Sequence, residues 1–457
     1  MQEPQSEIED ASEVLDARRM GRIRAAIETD DGAALGELLA PLHSADIADL
    51  LEQLSQADRR HLLHLWDEGI DGEVLSELEE SLRDEIISTL QPHEIADAVR
   101  DLESDDVVDL IEDLDALQRA AVLGVLDQAD RVAVEQALAY PEDSAGRLMQ
   151  REVVIAPAHW TVGEAIDFMR ASGDLPEQFY HVVLVDPRLR PTGYVALGRI
   201  LASPRALRLA DLTEESFRTI PVTLPQEEVA YTFNQYHLIS APVVNADGRL
   251  VGQITIDHAM IVLDRGHEED ILRLAGAGES SLNAGVVETA KGRFPWLAVN
   301  LLTAILASLV IAQFEAAIAQ VVALAVLMPI VASMGGNAGT QSLTVAVRAL
   351  ATKDLTGSNV MRVIRREAGV GLLNGLVFAV VMGAVGLAWF GSPLLGAVIA
   401  AAMVINLVVA GLAGIAIPVV LERLKVDPAL ASGAFVTTVT DVVGFFAFLG
   451  LAAVVLL

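Results

Sequence analysis

Asp441 is the one charged residue in the last 27 positions of the chain, set in the run Ala434-Phe-Val-Thr-Thr-Val-Thr-Asp-Val-Val-Gly-Phe-Phe446. That stretch is long enough to cross a bilayer. An acid at such depth is costly, so it ordinarily faces a water-filled path or an ion. Gly433, Thr437 and Asp441 recur at intervals of four, which places them on one helical face. A hydroxyl and a carboxylate on one stripe suit a hydrated divalent cation, because Mg2+ sheds water reluctantly and is held by one or two carboxylates through its retained waters. One carboxylate per chain is few, and a two-fold dimer would bring two together. The plainer alternatives are a hydrogen bond from Asp441 to a neighbouring helix, or a place in a proton relay.

A second segment has suitable chemistry: Met328-Pro-Ile-Val-Ala-Ser-Met-Gly-Gly-Asn-Ala-Gly-Thr-Gln-Ser342, with a helix-breaking proline, three glycines and two amides. Irregular backbone at membrane depth is tolerated where it lines a cavity, and Asn337 and Gln341, one turn apart, offer carbonyl oxygens to an ion's hydration shell. The alternative is a kinked helix whose amides satisfy freed backbone groups.

These residues need elements to hold them. Residues 1–290 carry 57 of the 63 acids, 22 of the 31 bases and all nine histidines, whereas residues 291–457 carry six acids and nine bases in an Ala-, Val-, Leu-, Ile- and Gly-rich background. The simplest organisation is an acidic soluble half followed by a membrane half. Hydropathy predicts five spans, at 294–314, 317–347, 367–390, 394–421 and 431–457, the second overlong and kinked or broken at Gly335-Gly-Asn-Ala-Gly339. Arg348, Lys353, Arg362, Arg365 and Arg366 lie between spans two and three, Arg423 and Lys425 between four and five, and Lys291 and Arg293 before the first. The connections on the other side hold no Lys or Arg, so residues 1–290 are expected in the cytoplasm and the C-terminus outside a cell (inner) membrane crossed several times. Gly371, Gly375, Gly411, Gly414 and Gly433 suit close approach of helix backbones, and packing is the better reading for most of them. The net charge of −32 argues against nucleic acid as a partner, and the absence of cysteine excludes disulfides and thiolate sites. The first residues show neither a basic region nor an apolar core of a signal peptide.

The soluble half opens on an internal repeat. Leu42-His-Ser-Ala-Asp-Ile-Ala-Asp-Leu-Leu-Glu-Gln-Leu54 matches Leu90-Gln-Pro-His-Glu-Ile-Ala-Asp-Ala-Val-Arg-Asp-Leu102 at a spacing of 48, which predicts a solenoid of short helices. Asp97, Asp101, Asp105, Asp106, Asp109, Glu112 and Asp113 crowd one repeat, either as a solvated face or as contacts for divalent ions. From about Leu148 two units each combine a strand, an amphipathic helix and a strand pair. His181-Val-Val-Leu-Val185 aligns with Ser240-Ala-Pro-Val-Val244 at an offset of 59, with Gly193 opposite Gly252. A polar connector with Glu268, Glu269 and Asp270 then leads to the first span, either to meet a cytoplasmic pore mouth or as a solvated linker. No phosphate-cradling glycine loop, metal-spaced histidine cluster or nucleophile elbow is present, so the chain reads as a non-enzyme.

Ala241-Pro-Val-Val-Asn-Ala-Asp-Gly-Arg-Leu-Val-Gly252 resembles the signature of CBS domains, which implies a paired regulatory module and an adenine nucleotide as a candidate ligand. Pro329 with Met334-Gly-Gly-Asn-Ala-Gly-Thr-Gln341, Thr437-Thr-Val-Thr-Asp-Val-Val-Gly-Phe445 and Tyr140-Pro-Glu-Asp-Ser-Ala-Gly-Arg-Leu-Met149 extend the likeness to the whole chain, which resembles the MgtE family of bacterial magnesium channels or transporters. The resemblance implies a multidomain membrane protein: an all-α helical solenoid N domain (1–147), an α/β CBS-domain pair (148–207 and 208–264), a connecting plug helix (265–290) and a five-helix transmembrane domain (291–457). It implies a homodimer in the lipid bilayer with the pore on its two-fold axis, Asp441 as the ion-selecting acid, and closure by cytosolic Mg2+. Asp101, Asp105 and Glu227 are similar to positions the family uses for regulatory ions, and Glu269, Asp270 and Asp427 fit the contact between plug and pore mouth. At the end of the second CBS domain, where the family tends to read two acids, this chain reads Asp257-His258, which implies a smaller regulatory ion set. The leading expectation is a Mg2+-selective, channel-like permease. A proton-coupled transporter or exporter of Mg2+ or Co2+ is the alternative, and a non-conducting membrane sensor the weakest.

Overall fold

The computed structural model describes residues 15, 17–66, 69–112, 114–126, 128–173, 175–176, 178–277 and 285–457, and the chain divides into two compact units, Met1–Asp264 and Arg265–Leu457. The first unit opens with short helices: α1 (Ala17–Glu28), α2 (Gly32–Leu39), α3 (Ser44–Gln53), α4 (Gln56–Leu65), α5 (Gly72–Glu77), α6 (Glu80–Thr89), α7 (Pro92–Ala98), α8 (Ser104–Glu112), α9 (Ala116–Val125) and α10 (Gln128–Ala137). Polar joints start them: Ser55 Oγ accepts from the Asp58 amide at α4, and Asp115 and Gln118 form a capping box at α9. None could bury its apolar stripe alone, so neighbours stack. Ile47, Ala48 and Leu51 are buried, and so are Ile95, Ala96 and Val99 at the 48-residue spacing. Arg59 clamps this stack from inside, donating to the Leu51 and Leu54 carbonyls at 2.9 and 3.1 Å and pairing with Glu85 at 2.8 Å.

After α11 (Ala145–Leu148) come two three-stranded sheets of the same design. In the first, β1 (Ile155–Pro157) pairs parallel with β2 (His181–Val185), which pairs antiparallel with β3 (Pro191–Ala196); α12 (Val162–Ala171) connects β1 to β2 and α13 (Leu197–Ala202) follows β3. In the second, β4 (Ile220–Pro221), β5 (Ser240–Val244) and β6 (Leu250–Thr255) repeat the order, with α14 (Gln226–Tyr236) in the crossover. Leu184 faces Gly193 and Val243 faces Gly252, and each ladder has a register shift just beyond. Asp186 Oδ1 accepts from the amides of residues 188 and 190, as Asn245 Oδ1 does from those of 247 and 249, so one Asx turn closes both hairpins. The repeats meet at equivalent residues: buried His181 Nδ1 lies 2.8 Å from Ser240 Oγ. β6 runs directly into α15 (Ile256–Ala275), the connecting helix, which Gly276 terminates in the left-handed conformation at φ +66°.

Among the described residues, the second unit holds five helices long and apolar enough to span a membrane, by length and composition. They are α16 (Val286–Ala312), α18 (Ala323–Ala351), α19 (Val360–Phe390), α20 (Pro393–Arg423) and α21 (Pro428–Val455), with the short α17 (Glu315–Gln320) ahead of α18. Helix α20 packs against α18, α19 and α21. Small residues permit this: a Cβ at Gly371 would lie 2.5 Å from the Leu407 carbonyl oxygen, and one at Gly414 would lie 2.6 Å from Ser342 Cβ and 2.7 Å from the Gly339 carbonyl oxygen. The predicted break within span two is corrected. Residues 335–339 are helical, and the interruption falls at Val321 and Val322, between α17 and α18. In hydrocarbon every backbone group must bond internally, so the helix persists through its glycines. Gly335 and Gly339 are buried instead because other helices approach them: a Cβ at Gly335 would meet Asn406 Nδ2 at 2.2 Å, and one at Gly339 would meet Val436 Cγ1 at 2.5 Å.

Candidate ion pathway and regulatory site

Asp441 sits midway along α21 and is partly exposed; among the described residues no hydrogen bond or ion pair reaches its carboxylate. The hydroxyl of Thr437, one turn earlier, donates to the Gly433 and Ala434 carbonyls of its own helix at 3.0 and 3.1 Å, which leaves oxygen lone pairs rather than a proton to offer outward. Gly433 is partly exposed near the N-terminal end of α21, on the same stripe. The packing face of α21 is a different one, where Val436, Thr440 and Phe448 are fully buried.

Helix α18 divides similarly. Leu327, Val331, Gly335, Gly339, Leu343 and Ala346 form its buried side, whereas Asn337 and Gln341 are exposed, with Ser333 3.4 Å from the Asn337 amide nitrogen. Two amides facing hydrocarbon would leave polar groups unsatisfied, so this stripe suits water or a second protein surface.

Sequence reasoning missed two buried polar groups that order these helices. Asn406 on α20 is fully buried, donates to the Val331 carbonyl at 2.8 Å, and among the described residues its Oδ1 has no hydrogen-bond partner. It stands between Gly335 of α18 and Gly444 of α21, where a Cβ would come 2.2 and 2.8 Å from its Nδ2. The signal was present, since Asn406 is the one polar side chain between Ser392 and Glu422. Glu367 on α19 is 9 % exposed and accepts from Ser342 Oγ of α18 at 2.9 Å.

The acidic repeat meets the CBS pair through the start of α8. Ser104 Oγ donates to Glu152 at 2.9 Å and accepts from the residue 151 amide at 2.9 Å, while Gln150 Nε2 donates to Glu103 at 3.1 Å. Burial first, then the charge of Asp105, pushes Glu103 and Asp106 up to about 7. Into this cluster the first turn of α15 inserts His258. Its Nε2 lies 2.9 Å from Asp105 Oδ2, its Nδ1 3.2 Å from Asp257 Oδ2 and 3.1 Å from Thr255 Oγ1. The Asp105 contact is at ion-pair distance and buried. Burial alone would push the His258 ring down; the carboxylates of Asp105 and Asp257 reverse this and hold it well above the usual imidazole range. His258→Ala should therefore lower the thermal stability of the purified chain by about 3–5 kcal/mol, since Asp105, at 3 % side-chain exposure, loses its counter-charge. Adding Asp105→Asn should recover most of that loss; unfolding unchanged by His258→Ala would remove this pair from the account.

The remaining candidates separate. Asp101 closes a single 3-10 turn (Val99–Asp101), and its side chain, like residue 113, lies outside the described set. Glu227 is exposed in the first turn of α14, where a carboxylate suits the helix N-terminus, and among the described residues no ion pair engages it. Glu269 and Asp270 lie on α15 within the second unit, near Asp427, whose Oδ1 caps α21 by accepting from the Ala429 amide at 2.8 Å. Burial, then the neighbouring Asp427, raises the Asp270 carboxyl. Among the described residues no three His, Asp or Glu side chains converge as a metal site within one chain.

A family model described as a divalent cation transporter matches residues 328–451, one described as the MgtE intracellular N domain matches 42–143, and the CBS domain model matches 145–205 and 209–265. The chain is 36% identical over 327 residues to a protein of Thermus thermophilus named magnesium transporter MgtE, covering 71% of this chain and 72% of that one. A protein of the same name from Bacillus subtilis is 32% identical over 321 residues, covering 70% and 71%. Among solved structures, the cytosolic domain of the Mg2+ channel MgtE in complex with ATP is 30% identical, covers 53% of this chain and 99% of that one, and has a TM-score of 0.49.

Proposed function

Because this chain belongs to the MgtE family of magnesium transporters, which are not enzymes, we propose that two copies form a Mg2+-selective, channel-like permease that cytosolic Mg2+ closes. The observation that carries this reading is the Asp441 carboxylate, without a partner among the described residues, halfway along a membrane-spanning helix. Paired across a two-fold axis, two such carboxylates hold one hydrated Mg2+ through its waters. The exposed amides of Asn337 and Gln341 support an aqueous path beside them. Residues 1–290 lie on the cytoplasmic side and the C-terminus outside, as the Lys and Arg between spans require.

Closure works by charge. Asp101, Asp105, Glu227 and Asp257 on the solenoid and CBS pair, and Glu269, Asp270 and Asp427 around α15, repel one another until divalent ions neutralise them. His258 already supplies one internal cation to Asp105 and Asp257, so fewer ions are needed there. An adenine nucleotide at the CBS pair would act on the same helix, since β6 continues into α15 without a joint.

The test is Mg2+ flux from the purified chain in liposomes. Downhill flux, indifferent to a pH gradient and declining as Mg2+ rises on the face bearing residues 1–290, is the expected result. Uphill flux driven by protons would replace the channel reading with coupled transport, and flux untouched by that Mg2+ would remove the closure mechanism.

A further inference from the structure

We propose that Arg273 is a positioning residue that seats the connecting helix against the start of α21 and so sets how much cytosolic Mg2+ closes the permease. The inference rests on the gated-permease reading and adds to it a contact made by the chain's own cation. On α15 the guanidinium of Arg273 reaches two carboxylates: its NH1 lies 3.0 Å from Asp427 Oδ2 and its NH2 2.9 Å from Glu269 Oε2, one turn back on the same helix. Asp427 divides its two oxygens, Oδ1 capping the Ala429 amide and Oδ2 taking Arg273. The arginine is thus tied to the first turn of α21, the helix that carries Asp441.

The neighbouring residue completes the seat. Leu274 packs against the buried cluster of Leu343 and Val347 from α18 with Ala429 and Val436 from α21, and its carbonyl oxygen lies 3.7 Å from where a Cβ on Gly433 would stand. A side chain bridging two helices and an apolar neighbour lodged between them fix both the height and the rotation of the last turn of α15. Among the described residues, the carboxylates of Glu269, Asp270 and Asp427 share this corner with the Arg273 guanidinium and with His267: burial and Asp427 raise the Asp270 carboxyl, while Arg273 and then His267 oppose the rise. Arg273 supplies one positive charge of the several the corner needs, and divalent ions must supply the rest. Its planar fork matches two carboxylates at once, which a lysine ammonium does not.

Arg273→Ala removes that charge, so more Mg2+ should be needed to hold α15 down. The half-closing concentration in liposomes is expected to rise about fivefold or more, with flux at zero cytosolic Mg2+ unchanged, and Arg273→Lys to fall between. Asp427→Asn keeps the cap and loses the ion pair, so adding it to Arg273→Ala should produce less than the sum of the two shifts. A second readout does not need flux. The chain has no cysteine, so a Leu274→Cys, Gly433→Cys pair reports by disulfide formation how often α15 is seated, and Arg273→Ala should reduce that yield at a given Mg2+. Wild-type half-closing concentration and wild-type cross-linking in Arg273→Ala would overturn the proposal. Absent Mg2+ flux from the unmutated chain would overturn the permease reading instead, and the cross-linking comparison would still decide the seat.

Discussion

Asp441→Ala should bring Mg2+ uptake in a deficient strain to background while leaving the chain folded and at least as stable as before. The two halves of this expectation have one cause. A charged side chain in the middle of a spanning helix costs about 2.5–3.5 kcal/mol on insertion scales, and among the described residues Asp441 recovers none of it through a hydrogen bond or ion pair. Alanine removes that cost, so thermal unfolding in detergent should not fall. Permeation loses the only negative charge of α21 beyond its cap, and hydrated Mg2+ then has only neutral oxygens to replace bulk water. Asp441→Asn keeps an oxygen without the charge and should pass less Mg2+ with weaker preference over monovalent ions. Selective uptake at the unmutated level by Asp441→Ala would sink the permeation account.

Gly414→Leu should fail at an earlier stage, yielding little folded protein. A Cβ there would already lie 2.6 Å from Ser342 Cβ, 2.7 Å from the Gly339 carbonyl oxygen and 3.0 Å from the Leu343 amide nitrogen. Two of those three atoms are backbone of α18 and cannot rotate aside, so α18 and α20 must separate. Overpacking of this kind costs about 1–3 kcal/mol where neighbours can shift, and more where the obstacle is a helix backbone. Separation would also draw Asn406 away from the Val331 carbonyl and Glu367 from Ser342, leaving buried polar groups unpaired in a low-dielectric interior. Gly369→Ala is the control: nothing lies within 4 Å of its Cβ position, and normal yield is expected. Equal yields of Gly414→Leu and Gly369→Ala, by size-exclusion profile and unfolding midpoint, would mean that α18 and α20 are not held this closely.

The two glycines differ in a way no spacing rule reveals. Gly371, Gly375, Gly411, Gly414 and Gly433 read as packing positions from their density in apolar helices; the structure places the first four tightly against another helix's backbone, whereas a Cβ at Gly433 would meet only the Leu274 carbonyl oxygen, at 3.7 Å. The glycines of the 335–339 segment invited a broken helix. Their actual partners, Asn406 on α20 and Val436 on α21, are about 70 and 100 residues away, and a segment's own letters say nothing of what approaches it. His258 shows the same limit. As a sequence position it is a departure from two consecutive acids; that its ring lies within 2.9 Å of Asp105, on a helix of the acidic repeat, follows only from how the solenoid meets the second CBS unit.

The amino-acid sequence by itself determined the class of each part: a helical repeat, two copies of one α/β design, five membrane-length helices and a single acid in the last of them. Those features are written in short-range periodicity and in the bilayer's demand for apolar length, which act on contiguous residues. Only the tertiary structure decided which charges share a neighbour: Arg273 with Asp427, His258 with Asp105, Asn406 with the Val331 carbonyl, and Asp441 with no partner among the described residues. Pairing energy depends on distance and burial, and both are set by the packing of elements distant in the chain.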